Sequence, residues 1–313
     1  MYQLQTTNFG KFERHTVSHS LHPQSISFIP SRGGCLLSVV LEGQEVLDGY
    51  QTPEEVDFNK WGKSGVLYPF PNRLREGHYE WLGKTYQFPL NDATFHHALH
   101  GFGMARPLVV SELSLEEDQA HIGMEGEYAG ELPYYPWPFT FGLTYRLHAP
   151  DQLWVEMWLK NTGTNPIPVG LGWHPYFQLG DTAAACELIL PRMDLVGIDA
   201  RMIPTGKRYP YTEFSERRKI GSTVLDNCFA VPETHLEVGA YLRGPRGALR
   251  YWQETGPDKF NFLQVFTPPY GTSIALEPMT CNVDAFHNGD GLKTLEPGDT
   301  LRAKAGIQFL MEE

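Results

Sequence analysis

The chain has 313 residues, of which 41% are hydrophobic and 20% charged, enough apolar material for a large core and too little charge for a disordered chain or coiled coil. Its 25 Lys and Arg stand against 37 Asp and Glu, a net charge of −12, which argues against a nucleic-acid binder or a polybasic membrane-surface protein. The 31 glycines and 24 prolines are spread along the whole length, as expected of a protein built from many turns.

Taken in chain order, the dominant apolar period is two rather than 3.6. Strands are expected at 26–29 and 36–41. A hairpin follows at Tyr79–Trp81 and Tyr86–Phe88 around Leu82-Gly83-Lys84. Further strands are expected at 107–115 and 120–125. The alternation of Phe139, Phe141, Leu143, Tyr145 and Leu147 predicts a strand with one buried face. It is joined through Ala149-Pro150-Asp151 to a second carrying Leu153, Val155, Met157 and Leu159. Trp154 and Trp158, on the other face of that second strand, suggest that this face is covered as well. The remaining strands are read at 186–190, 235–242, 247–252, 260–266, 272–276 and 300–309. No long apolar stripe at helical spacing is free of Gly or Pro, so only short helices are expected. With no linker, repeat or charge block, residues 1–313 read as a single domain of the all-β class, a large antiparallel β-sandwich. No apolar run approaches a membrane span, and the N-terminal residues lack the pattern of a signal peptide, so a cytoplasmic location is expected. Cys35, Cys186, Cys228 and Cys281 are widely spaced and read as buried or idle thiols.

Five segments carry candidate chemistry. In Pro69-Phe70-Pro71-Asn72-Arg73 the arginine is either one half of an ion pair or a fork of donors aimed at a ligand oxygen. His96-His97-Ala98-Leu99-His100-Gly101 invites a metal reading, with His96, His100 and Glu277 as ligands. That reading needs a helix the following glycines disfavour, and no metal-binding spacing is present, so no metal is expected. In Gly170-Leu171-Gly172-Trp173-His174-Pro175-Tyr176-Phe177, Pro175 drives His174 into extended backbone, and the neighbouring rings could stack on a sugar. Asp226-Asn227 either closes an Asx turn or offers groups for sugar hydroxyls. Glu277 ends an apolar strand, where it faces either solvent or a groove that would raise its pKa and suit it to proton transfer.

The order Asn72-Arg73, Leu99-His100-Gly101, His174-Pro175-Tyr176-Phe177, Asp226, Gln264-Val265-Phe266-Thr267 and Leu276-Glu277 resembles that of the aldose 1-epimerases, the galactose mutarotases, in a bacterial form, from about residue 25 to the C-terminus. The resemblance implies a galactose mutarotase-like supersandwich with a sugar cleft on one curved sheet. It makes Glu277 the general base and His174 the general acid, with Arg73, His100, Asp226, Asn72 and Gln264 binding sugar hydroxyls. This chain departs from the family in having Phe102 after Leu99-His100-Gly101, Gln178 after His174-Pro175-Tyr176-Phe177, and Pro278-Met279-Thr280 after Glu277. The implied reaction interconverts the α and β anomers of a free hexose such as galactose or glucose by acid/base ring opening, and it requires no cofactor. The implied partner is a small-molecule sugar, with no nucleic acid and no membrane, for a monomer or homodimer. Three alternatives accompany this reading. They are a hexose-6-phosphate mutarotase, for which no basic cluster is evident, a non-catalytic carbohydrate-binding protein, and a glycoside hydrolase using Asp226 and Glu277.

Overall fold

The computed structural model describes residues 1–232 and 236–311. Three antiparallel sheets dominate. A five-stranded sheet runs in chain order from Tyr2–Phe9 to Gln44–Glu45. A nine-stranded sheet takes in Val109–Leu115, Gln119–Tyr128, Phe139–His148 and Gln152–Asn161, then crosses to Thr300–Leu310 and Gly247–Glu254. An eight-stranded sheet contains Met193–Ile198, Asp226–Ala230, Phe262–Phe266, Ile274–Met279, Gly172–His174 and Gly65–Leu67 as successive neighbours. Among the described residues the α-helices are Pro53–Asp57 and Ala285–Asn288, and no helix is long and apolar enough to cross a membrane. The all-β class with short helices is therefore what the period-two patterning dictates.

The expected hairpins form. Phe139–His148 pairs along its whole length with Gln152–Asn161, and the alternating apolar residues of both are buried. Tyr79 pairs with Tyr86 in the smaller hairpin. Of the strand expected at 235–242, residue 235 lies outside the described residues, and the strand observed is Glu237–Gly244. One apolar cluster draws residues from Tyr2 to Phe309 and fills the space between the sheets. Trp154 and Trp158 differ from expectation, since both remain half-buried. A Cβ at Gly142 would lie 2.1 Å from the Trp158 ring, so the indole fills the glycine's space. The Arg302 guanidinium sits 5.8 Å above that ring, and Lys304 lies 5.4 Å from Trp154. Cationic side chains shield these rings, which are not buried like the core. All four cysteines are free and buried.

The eight-stranded sheet positions the site. Directly opposed residues of an antiparallel ladder point to one face, and the side-chain period is two. Asp226 opposes Phe266, which opposes Ala275; Cys228 opposes Gln264, which opposes Glu277; and Gly172 opposes Met279. Asp226, Gln264, Phe266, Glu277 and His174 therefore share a face, while Phe229, Val265, Leu276 and Trp173 point the other way into the main core. Below this polar row the shared face is closed by Val196, Cys228, Ala230, Phe262, Met279 and Val283.

Candidate functional site

The polar row forms the floor of a cleft of about 430 Å³. His174 is held extended at the end of Gly172–His174, as Pro175 requires. It is 5% exposed, and its Nε2 lies 3.4 Å from Oε1 of Glu277, itself 2% exposed. Tyr176 supports the imidazole from one side, ring stacked on ring at 4.9 Å. The free atoms of the pair, His174 Nδ1 and Glu277 Oε2, are buried and have no hydrogen-bond partner among the described residues. Burial acts on both groups by disfavouring charge. It raises the Glu277 carboxyl well above the usual carboxylate range, with Asp226 adding to the rise and Arg73 opposing it. It pushes the His174 imidazole down to about 3.

The second wall is a short ladder above the sheet, in which Leu99 pairs with Arg73 and Ala98 with Leu74. His100 follows with a positive φ of 65°, and the backbone N–H of Asn72 donates to its Nδ1 at 3.1 Å. That bond places the proton of the neutral ring on Nε2, making this atom a donor. Burial, then His174 and Arg73, hold the His100 pKa well below the ordinary imidazole range, and its ring centroid is 5.2 Å from that of His174. Gly101 explains the residue after the histidine. Its φ is +61°, and a Cβ there would sit 2.2 Å from the Tyr68 carbonyl oxygen. The histidine segment is a turn and short bridge, not a helix, and His96 is exposed while His100 is buried. Among the described residues no three His, Cys, Asp or Glu gather as a metal-ligand set.

A chain of hydrogen bonds links the two walls. Asn72 Nδ2 donates to Gln264 Oε1 at 3.3 Å, and Gln264 Nε2 donates to Asp226 Oδ1 at 2.7 Å. Burial raises the Asp226 carboxyl, against the pull of Arg73 and Gln264. Asp226 sits on a strand and not in an Asx turn. Arg73 combines both of its sequence readings. Its Nε donates to Asp92 Oδ2 at 2.9 Å in a largely buried ion pair, and its side chain also lines the cleft. Asp92 is a residue that sequence reasoning missed. Burial raises its carboxyl, but Arg73 and the N–H groups of Phe95 and Thr94 together outweigh this and leave it below the usual range. Nothing in Asn91-Asp92-Ala93 marks it from other loop aspartates. Trp61 and Met104, also in the cleft wall, were missed as well.

The rings beside His174 in sequence take other roles than stacking on a ligand. Trp173 and Phe177 are buried in the main core, and Tyr176 lies under the imidazole.

Fold and cleft together define a protein of the galactose mutarotase-like all-β class. The aldose 1-epimerase family model matches residues 22–308, and the chain belongs to that family. The chain is 30% identical over 252 residues to the uncharacterized protein YihR of Escherichia coli K12, covering 79% of this chain and 78% of that one. It is 26% identical over 299 residues to the uncharacterized protein YphB of the same organism, covering 89% and 97%. A galactose mutarotase-like protein from Clostridium acetobutylicum superposes with a TM-score of 0.84 at 19% identity, covering 100% and 99% of the two chains. A galactose 1-epimerase from Lactobacillus acidophilus NCFM does so with a TM-score of 0.82 at 15% identity, again covering 100% and 99%.

Proposed function

We propose that the protein is an aldose 1-epimerase that interconverts the anomers of an unphosphorylated hexose. The observation that carries this reading is the pairing of His174 with Glu277 at 3.4 Å on the floor of a cleft rich in hydroxyl-binding groups. A ring-form aldose is a hemiacetal. Opening it requires removal of the anomeric O–H proton and delivery of a proton to the ring oxygen as the C1–O bond breaks. Glu277, as carboxylate, takes the first proton, and His174, as imidazolium, delivers the second. The aldehyde then rotates about C1–C2, and the two groups act in reverse as the ring closes on the other face.

One proton shared between the two groups suffices. Burial favours holding it on the carboxyl in the free protein, and transfer across the 3.4 Å gap generates the reactive carboxylate–imidazolium form. Arg73, Asn72, His100, Asp226 and Gln264 would then bind the sugar hydroxyls, with His100 Nε2 and the Arg73 fork as donors and Asp226 as acceptor. A plain hexose is favoured over a 6-phosphate by the lining. Arg73 is its one Lys or Arg among the described residues, is already paired with Asp92, and shares the cleft with Asp226 and Glu277.

The test is polarimetry, or NMR exchange between anomeric protons, on hexoses with and without a 6-phosphate. Exchange faster than buffer on a plain hexose, without bond cleavage, is the expected result. Exchange confined to the 6-phosphate would support the phosphosugar enzyme. Release of a reducing sugar from a glycoside would support a hydrolase, and binding without exchange would support a lectin-like protein.

A further inference from the structure

The exposed aromatic surface of the cleft comes from a segment that belongs to none of the polar motifs and ends eleven residues before Asn72. Phe58 is 83% exposed and Trp61 41% exposed, and both line the cleft. The Trp61 ring stands 6.5 Å from Phe266 at 34° and meets Tyr270 edge-on at 5.5 Å. Trp61 has φ 61° and ψ 5°, left-handed backbone that a bulky residue adopts only at a cost of about 1–3 kcal/mol. Asn59, Gly62 and Ser64 also have positive φ, so most of this turn is wound against the preference of L-residues.

The turn is clamped from several sides. The Tyr176 hydroxyl donates to the Trp61 carbonyl at 2.9 Å, and the Ser64 N–H donates to the carbonyl of His174 at 2.9 Å. Arg32 donates to Asn59 Oδ1 at 3.0 Å. Lys63 Nζ lies 2.5 Å from Asp48 Oδ1 in a buried pair, while Asp48 Oδ2 accepts from Ser273 at 2.7 Å and Tyr270 at 3.0 Å. A buried ion pair is a poor way to gain stability, and its best-attested use is to fix one arrangement. Here the arrangement fixed leaves the indole part-exposed in the cleft that also holds the His174–Glu277 pair.

We infer that Trp61 is a ligand-binding residue of this site, a platform on which the C–H face of a neutral pyranose stacks. The weakly positive C–H groups of a sugar ring complement the negative face of an indole, and stacking leaves the hydroxyls free for the opposite, polar wall. Trp61 therefore sets affinity and ring preference without moving a proton. The inference rests on the sugar-site reading above, though not on catalysis.

The test uses the full chain with Trp61→Leu and Trp61→Phe, folding being checked by circular dichroism and thermal unfolding. Binding of galactose and glucose is measured by NMR titration, and kcat and KM by polarimetry. Trp61→Leu is expected to weaken Kd and raise KM about tenfold with kcat within about twofold, and Trp61→Phe to recover most of the loss. Unchanged Kd and KM in Trp61→Leu would overturn the inference, as would a loss confined to kcat. Oxidation of wild-type indoles by N-bromosuccinimide, mapped by mass spectrometry, needs no variant. Saturating sugar should protect Trp61 selectively among the seven tryptophans, and oxidation of Trp61 at an unchanged rate contradicts the stacking. Wild-type protein that binds hexose without exchanging anomers removes the epimerase reading and leaves this one standing. Failure to bind any hexose removes both.

Discussion

His174 Nε2 faces Glu277 Oε1 across 3.4 Å, and the outer heteroatom of each group is buried with no partner among the described residues. Buried polar groups are nearly always satisfied, so two adjacent exceptions in one cleft mark a place where structure gives way to function. The arrangement stores both halves of a proton transfer in a low-dielectric floor, and both residues line the cleft that a substrate oxygen would enter.

Glu277→Gln preserves shape but cannot accept a proton, and His174→Asn preserves polarity but cannot shuttle one. Each is expected to lower kcat by roughly 10² to 10⁴ with little change in sugar binding. The double variant should lose far less than the product of the single losses, because the two act as one relay. Polarimetric kcat beside NMR-measured Kd checks this. A single variant with near-normal anomer exchange would remove that residue from the relay.

The pH profile follows from the directions of the two shifts. The active pair carries one proton. Activity falls at low pH when a second proton is forced on, and at high pH when the only proton leaves. His174 is pushed down to about 3 and Glu277 well above its usual range, so the one-proton form spans a wide interval between them. The limbs belong to the pair and not to either residue alone. The acid limb of kcat/KM should therefore lie well below about 6.5, where an unperturbed imidazole titrates. An acid limb centred there would contradict the burial of His174.

Arg73→Lys removes the planar fork that serves Asp92 through Nε and the cleft through its remaining nitrogens. Losing one charge-assisted hydrogen bond, about 1.5 kcal/mol or more, should raise KM on the order of tenfold and leave kcat less affected. Unchanged kinetics would reduce Arg73 to a structural partner of Asp92.

How far the sequence carries this site depends on where each residue sits. The floor residues were legible through the order of the family motifs, and Pro175 dictates the backbone of His174, but the strands Asp226–Ala230 and Gly172–His174 that carry two of them were not expected. The hairpin Tyr2–Phe9 and Phe12–His19 was not expected either, because its first strand is polar and largely exposed and shows little apolar alternation. The strand Pro204–Tyr211 escaped for the same reason, being exposed along nearly its whole length. Asp92 and Trp61 enter the cleft through turns, where no period announces the direction of a side chain. The rings that did have a signal, Trp173 and Phe177, point away from the cleft because alternation places them on the opposite face from His174.

Gly101→Ala tests how tightly the second wall is built. The new Cβ would meet the Tyr68 carbonyl oxygen at 2.2 Å in a left-handed backbone, so the turn must shift and carry His100 with it. A loss of about 1–3 kcal/mol in unfolding free energy is expected, together with a raised KM. Urea unfolding at neutral pH checks the first and polarimetry the second. An alanine variant of wild-type stability would show that the turn has room to relax.

Glu277 should also weaken the fold it serves. Its carboxyl has a higher pKa in the folded protein than in the unfolded chain, chiefly through burial. Above the unfolded value of about 4.3 the unfolded chain has already released this proton while the folded protein still holds it. In that window the folded state binds more protons, so its stability falls as pH rises, by up to about 1.4 kcal/mol for each pH unit from this group. Glu277→Gln carries no such proton and escapes the loss. The variant that slows turnover should thus gain in stability over wild type as pH rises above about 4.3, read from urea midpoints. A margin that stays constant or narrows with rising pH would mean that Glu277 ionises at an ordinary pKa. The cost of a buried carboxyl on the cleft floor would then be absent.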